Sequence, residues 1–365
     1  RSVKGFLRRG LQEGEGPLAW QALMNPAPAS PPEDFASAME TWFAKHRKDY
    51  PWRQTRDPYA ILVSEVMLQQ TQITTVLERG FYVRWLARFP DFATLAVASE
   101  EDVLRTWEGL GYYRRARNLQ KLAQAVVASH GGQMPSDPAA ILALPGIGPY
   151  TAGAISSFAF DLPEPIVDGN VARVLSRVFN DATPIDSTEG LKRLWQRATT
   201  LVKAAGHPGN FNSALMELGQ TLCRVGQPDC LRCPVHGFCR ATEPASLPVK
   251  GKKTTITEVT ERVFFLRRDK TILLEQETGN RRTGLWKLPP LPEGLAKLPP
   301  VLHKMTYGIT RYKVTLWIHA APAVMADDPA FQFITEEAIA SLPMPAPYRK
   351  ALNIVMKDEA FTLGE

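Results

Sequence analysis

The strongest constraint on the fold of this chain is the stretch Leu144–Asn170, LPGIGPYTAGAISSFAFDLPEPIVDGN. Its Pro-Gly-Ile-Gly-Pro is a tight turn between two apolar helical patterns, with Gly146 and Gly148 two residues apart. Glycines at such a turn let backbone N–H groups face outward at a helix start, where partial positive charge gathers. That is a seat for one phosphate. The pattern then predicts a helix over Tyr150–Phe160, and a Pro-punctuated loop brings Asp168 just ahead of Gly169 and Asn170. A phosphate anchor and a carboxylate are thus separated by one short helix. Taken alone, the glycine pair also fits an ordinary corner between two helices.

Upstream, Phe35–Tyr50 has helical spacing, and Asp57-Pro58 reads as an N-cap followed by a first-turn proline. The helix they open reads PYAILVSEVMLQQTQITTVL, residues 58–77. It is apolar nearly all round up to Leu68, as a buried helix must be, yet Glu65 sits in its middle. A buried glutamate is either a structural partner of an arginine or helix end, or a desolvated acid suited to protonating a leaving group. The amide-rich run Leu68-Gln69-Gln70-Thr71-Gln72 follows. Amides there are suited to reading base edges or filling the gap left by an extruded base.

GLGYYRRARNL (109–119) sets Tyr112 and Tyr113 beside Arg114, Arg115 and Arg117 after a Gly-x-Gly turn at Gly109 and Gly111. Aromatics interleaved with basic residues suit stacking on bases and contact with phosphates. The competing reading is a solvated basic helix face with tyrosines packed inward. Further helices are predicted over Phe81–Arg88, Glu100–Trp107, Asn118–Ser129, Val171–Phe179, Leu191–Ala204 and Phe211–Leu222.

All four cysteines, Cys223, Cys230, Cys233 and Cys239, fall in one short stretch. Scattered disulfides would not be so arranged, and a reducing, intracellular setting is expected. Four thiols without histidine partners in zinc-finger spacing fit either a structural zinc ribbon or a [4Fe–4S] cluster, and spacing alone leaves both open. Arg224, Arg232 and Arg240 ring the loop as phosphate contacts or as solvated side chains.

Past a Pro/Lys-containing linker the period changes. Ile256–Leu266, Thr271–Glu275 and Tyr312–His319 read as strands, with short helices at Glu336–Leu342 and Tyr348–Met356. The expected fold class is mainly α, a two-lobed helical core followed by a C-terminal α+β domain. The expected boundaries are an N-terminal extension over 1–34 with a short helix around Leu18–Met24, a core over 35–245, a linker over 246–255 and a last domain over 256–365. The net charge of +6 permits nucleic-acid binding without demanding it. No apolar run reaches the roughly 20 residues of a membrane span.

Several strings resemble one family. LPGIGPYTAGA is similar to the helix-hairpin-helix of base-excision DNA glycosylases of the endonuclease III superfamily, in which an Asp follows at this distance; Asp168 matches it. SEVMLQQTQ (64–72) resembles the signature of MutY-type adenine DNA glycosylases. The resemblance implies Glu65 as the catalytic acid, Leu68, Gln69 and Gln70 with Thr71 as the segment that enters the duplex, and one tyrosine of Gly111-Tyr112-Tyr113 as an intercalator. It implies Gly146 and Gly148 at a DNA phosphate, and Asp168 stabilising the cationic sugar, with Tyr150 and Asn170 orienting the carboxylates. The cysteine spacing matches the superfamily's iron–sulfur loop, implying a [4Fe–4S] cluster.

Gly284-Leu285-Trp286-Lys287-Leu288-Pro289 resembles the Gly-Leu-Trp-Glu-Phe-Pro of the family's MutT-like domain, with lysine at the acidic position. The family's lesion-reading Phe-Ser-His aligns with Ile309-Thr310-Arg311, where only the hydroxyl of Thr310 is kept. The implied enzyme is a monomeric, monofunctional glycosylase that removes adenine opposite 8-oxoguanine or guanine in double-stranded DNA. It would work at the nucleoid in a bacterium, or in the nucleus or mitochondria of a eukaryote, with no membrane partner. Glycosylases that also cut the strand place a lysine at the hairpin position held here by Tyr150, which disfavours a pyrimidine glycosylase/lyase. A non-catalytic DNA-binding or redox-sensing iron–sulfur protein leaves both carboxylates unexplained.

Overall fold

Asp57 caps the buried helix from outside, its carboxylate accepting from the N–H groups of Tyr59 and Ala60 ahead of Pro58–Leu68. The computed structural model describes residues 31–251, 255–279, 283–309, 311–323 and 329–357. The expected helix at Leu18–Met24 and the loop residue Thr310 lie outside the described residues. The chain divides into two compact units. One draws on Arg1–Arg47 and Val167–Val249, the other on Lys48–Ile166 and Lys250–Glu365.

In the first unit, the Pro32–His46 helix packs on Pro208–Thr221 and Thr188–Lys203, and Gly169–Val178 packs on Pro208–Thr221. Phe35 anchors this cluster, meeting Phe211 and Phe238 edge-on. The cysteine loop follows the last of these helices, folded into two short 3-10 turns, Cys230–Arg232 and His236–Phe238.

The second unit builds its helical core around Pro58–Leu68. Leu62, Val63 and Met67 there are fully buried with Trp85, Trp107 and Leu119. The predicted helix over 58–77 is broken in the structure: Pro58–Leu68 ends, Gln70 turns through a left-handed backbone (φ 57°), and a separate helix Ile73–Glu78 begins. The apolar stripe that stabilises the helix stops at Leu68, so the polar run leaves it. The predicted helix start at Asn118 moves back to Arg114, within Arg114–His130.

The Pro149–Phe160 helix lies against Pro58–Leu68 and Pro138–Ala143. Its Gly153 faces the chain so closely that a Cβ there would stand 2.0 Å from the carbonyl oxygen of Pro165. Gly153→Ala must therefore displace backbone. It is expected to cost about 1–3 kcal/mol, read as a lower urea midpoint at unchanged m-value.

The C-terminal part is the expected sheet region. Strand β1 (Thr257–Phe265) runs parallel to a β6 (Tyr312–Ala320) that also pairs antiparallel with β5 (Val301–Ile309). A second sheet joins β2 (Arg267–Arg268), β3 (Thr271–Gln276) and β4 (Trp286–Lys287), with β7 (Phe331–Thr335) on the free side of β3. The helix Ala346–Lys357 closes its core through Tyr348, Leu352 and Val355. Among the described residues no helix is long and apolar enough to cross a membrane.

Candidate active site

Glu65 is 6% exposed in the middle of its helix. Tyr150, in the first turn of Pro149–Phe160, donates its hydroxyl to Glu65 Oε2 at 2.8 Å. The contact between the two helices thus joins the hairpin to the acid. The hairpin turn is set by Gly146, whose φ is 81° and whose missing Cβ would stand 3.1 Å from Asn118 Cβ. A side chain is disfavoured there on both counts. Gly148 is the N-cap of Pro149–Phe160 and supplies no side-chain acceptor, with open space where a Cβ would be. A helix start of this kind presents N–H groups to an anion.

The two expected DNA-contacting loops are shaped unequally. Gln69 and Gln70 are exposed, while Leu68 and Thr71 are half-buried. Tyr112 is 39% exposed and held at φ 47°. Tyr113 points the other way: it is 7% exposed and its hydroxyl donates to the carbonyl of Met344 at 2.8 Å. Burial pushes its phenol above the usual range. Of the two tyrosines, Tyr112 is the one presented at the surface. Arg114 is exposed, whereas Arg117 is held by Glu100 and by the carbonyl of Thr283. In the sheet region Ile309 ends β5 opposite Tyr312, and Lys287 lies 3.0 Å from Glu277 and 3.5 Å from Glu275.

Asp168 and Asn170 belong to the first unit. Asp168 caps Gly169–Val178: Oδ1 accepts from the N–H groups of Asn170 (2.9 Å) and Val171 (2.7 Å), and Oδ2 from Asn170 Nδ2 (2.9 Å). Three N–H groups aimed at two oxygens are what an acceptor-only carboxylate needs. Asn170 Oδ1 in turn accepts from Arg173 Nη2 at 2.8 Å, and Arg173 Nε donates to the carbonyl of Cys223 at 2.8 Å. One helical turn on, Arg177 donates to Cys223 Sγ at 3.3 Å. Arg173 and Arg177 are missed by a reading of sequence that sees only a helix over Val171–Phe179. The available signal is an i, i+4 arginine pair set among valines on a helix that starts at Asp168.

The four cysteines are half-buried and free. Burial pushes the Cys233 thiol up to about 11, and the other three cysteines add to the shift. Cys239 is raised as well, first by burial. Among the described residues, no three His, Cys, Asp or Glu side chains gather tightly enough to hold a single ion. A cubane takes one thiolate at each iron, so its ligands surround a volume instead of converging on a point. Four thiols of this kind, one of them receiving a guanidinium N–H, fit such a group. Arg224 and Arg232 on the same loop are exposed, with Arg240 half-buried.

Residues 63–198 match the family model described as HhH-GPD superfamily base excision DNA repair protein. The chain is 36% identical over 244 residues to an adenine DNA glycosylase of Buchnera aphidicola subsp. Baizongia pistaciae, covering 66% of this chain and 68% of that one. This chain belongs to the adenine DNA glycosylase family. Against the adenine DNA glycosylase of Mus musculus the identity is 46% over 216 residues, 57% of this chain and 41% of the mouse protein. The chain thus spans about two-fifths of the length of that relative. The solved structure of a thermostable thymine-DNA glycosylase superposes with a TM-score of 0.52 at 31% identity, covering 58% of this chain and 96% of the other. Membership of the adenine DNA glycosylase family carries the helical core, and the hairpin and Glu65 both fall inside the matched residues 63–198.

Proposed function

We propose that the chain is a monofunctional adenine DNA glycosylase acting as a monomer on adenine mispaired with 8-oxoguanine or guanine in double-stranded DNA. The observation that carries this reading is the Tyr150–Glu65 hydrogen bond: a buried acid tied to the hairpin, with a phenol where a strand-cutting relative would need an amine.

The hairpin N–H groups at Gly146–Gly148 hold a backbone phosphate, while Gln69, Gln70 and Tyr112 enter the stack around the mispair. The adenine leaves the stack because its glycosidic bond is unreachable inside it. Glu65 gives its proton to N7 of adenine. The C1′–N9 bond breaks with its electron pair going to the base, and the sugar becomes an oxocarbenium ion. Asp168 stabilises that cation or bonds to C1′. Water then adds to C1′, displacing Asp168 if it has bonded there, and its proton goes to the Glu65 carboxylate, which leaves an abasic site, free adenine and the acid restored. Two carboxylates in separate roles are the general logic of glycoside cleavage.

Cys223, Cys230, Cys233 and Cys239 would hold a [4Fe–4S] cluster, which when bound braces the loop and supplies a redox-active centre. Reading of 8-oxoguanine is assigned to Ile309-Thr310-Arg311.

The test is single-turnover base release from duplexes holding adenine opposite 8-oxoguanine, guanine and thymine. Release from the first two and not from the third is expected. Absence of adenine release from all three sinks the proposal, and equal rates on the first two remove lesion reading from it. Efficient strand scission with a borohydride-trapped adduct would overturn the monofunctional assignment. Tyr150→Phe deletes the hydroxyl that orients Glu65. Release about fivefold slower is expected, the weight of ~1 kcal/mol, at unchanged duplex affinity.

A further inference from the structure

Arg115 belongs to the basic run after Tyr112-Tyr113, where a phosphate contact is the obvious use. The structure turns it inward. Nη1 donates to the carbonyls of Val66 (2.9 Å), Met67 (3.0 Å) and Gln69 (2.5 Å), at the open end of the helix that carries Glu65. Nη2 donates to the carbonyls of Leu110 (2.9 Å) and Gly111 (3.2 Å) and to Thr71 Oγ1 (3.3 Å). The same guanidinium lies between two rings, 5.2 Å from the centroid of Trp107 and 5.5 Å from that of Tyr112. Trp107 Nε1 also donates to the Gly111 carbonyl at 3.0 Å.

Two loops about forty residues apart in sequence therefore meet on one planar fork. Each carries a non-glycine residue in the left-handed region, Gln70 at φ 57° and Tyr112 at φ 47°. Such residues persist where the surroundings over-determine them. Both strained residues sit next to a carbonyl that Arg115 bonds, Gln69 on one side and Gly111 on the other.

We infer that Arg115 is a positioning residue that locks the Gln69–Thr71 loop and the Tyr112 ring into one arrangement, so that the two enter the duplex as a single rigid wedge. This rests on the glycosylase reading for what the wedge does, but not for the clamp itself. An ammonium cannot replace the fork: lysine keeps the charge, yet it is a compact point donor with no planar face to stack. Burial also lowers the Arg115 pKa to about 10, so the guanidinium is charged at neutral pH and its hydrogen bonds are of the stronger, charge-assisted kind.

The experiment compares full-length wild type with Arg115→Lys. Hydrogen exchange on the free protein reads the clamp. Fluorescence of 2-aminopurine placed opposite guanine in a duplex reads base unstacking, and adenine release reads chemistry. Arg115→Lys is expected to exchange about tenfold faster at residues 69–72 and 109–113 and unchanged elsewhere, and to unstack the base about tenfold less readily. Equal exchange and equal unstacking in the two proteins overturn the proposal. Faster exchange throughout the second unit also overturns it, since that is loss of stability and not of positioning.

A wild type that neither unstacks the base nor releases adenine overturns the glycosylase reading and with it the wedge, while the exchange arm still judges the clamp. Should Arg115→Lys not fold, Tyr112→Ala takes its place. It removes an exposed ring from the guanidinium, and exchange at Gln69–Thr71 must quicken; unchanged exchange there overturns the clamp.

Discussion

Glu65→Gln is expected to bind mispaired duplex as wild type does and to release adenine roughly 10²–10⁴-fold more slowly, the usual weight of a positioned general acid. The substitution is close to isosteric. Its amide oxygen can still accept from the Tyr150 hydroxyl, which approaches Glu65 Oε2 at 2.8 Å, so the junction between the two helices is kept. What is lost is the transferable proton. Binding is measured by anisotropy on a duplex with adenine opposite 8-oxoguanine, and release in single turnover on the same duplex. A variant that releases adenine at the wild-type rate would remove Glu65 from the chemistry. One that loses affinity and unfolds at lower urea, with release per bound complex unchanged, would make Glu65 a structural partner of Tyr150 and nothing more.

What was legible in the sequence is what depends on neighbours along the chain. Asp57 caps its helix because an Asx side chain reaches N–H groups two and three residues on, which a string of letters displays. The glycine turn at 146–148 and the change of period after residue 256 are local in the same sense. The pairing of β1 with β6 was not legible, because a parallel neighbour as far along the chain as Tyr312 is from Thr257 leaves no mark on either strand. Nor was the division of labour between Tyr112 and Tyr113. The two are adjacent and identical, and only the left-handed backbone at Tyr112 and the carbonyl of Met344 decide which one is buried. Nor do the letters show that Arg115, Arg173 and Arg177 turn inward: the run holding Arg115 reads as phosphate-contacting or as a solvated helix face, and Arg173 and Arg177 carry no expectation at all. Their partners are mostly backbone carbonyls, and a carbonyl has no letter. A buried guanidinium satisfied by main chain is therefore hard to tell in sequence from an exposed one.

That last point makes Arg177→Ala the severest structural test. Arg177 is 1% exposed. Its Nε donates to the carbonyl of Leu247 at 3.1 Å, Nη1 to that of Arg224 at 2.8 Å and Nη2 to that of Gly226 at 3.1 Å, besides the contact with Cys223 Sγ. Alanine leaves the buried carbonyl of Leu247 and the part-buried carbonyls of Arg224 and Gly226 without these donors, and a void where the side chain lay. At about 1–3 kcal/mol per stranded group, a loss of roughly 3–5 kcal/mol in urea unfolding is expected. Arg177→Lys retains charge and volume but reaches fewer acceptors, and is expected to fall between. A loss below ~1 kcal/mol for Arg177→Ala would mean that the carbonyls find water or that the loop relaxes around them. Iron and sulfide content of the same proteins separates the two tasks of this residue. If the proposed cluster is held at Cys223 and the contact with its sulfur matters, the alanine variant loses iron even under conditions where it is fully folded. A folded, destabilised variant with undiminished iron would show that the guanidinium braces the main chain of the loop and leaves Cys223 to the metal alone.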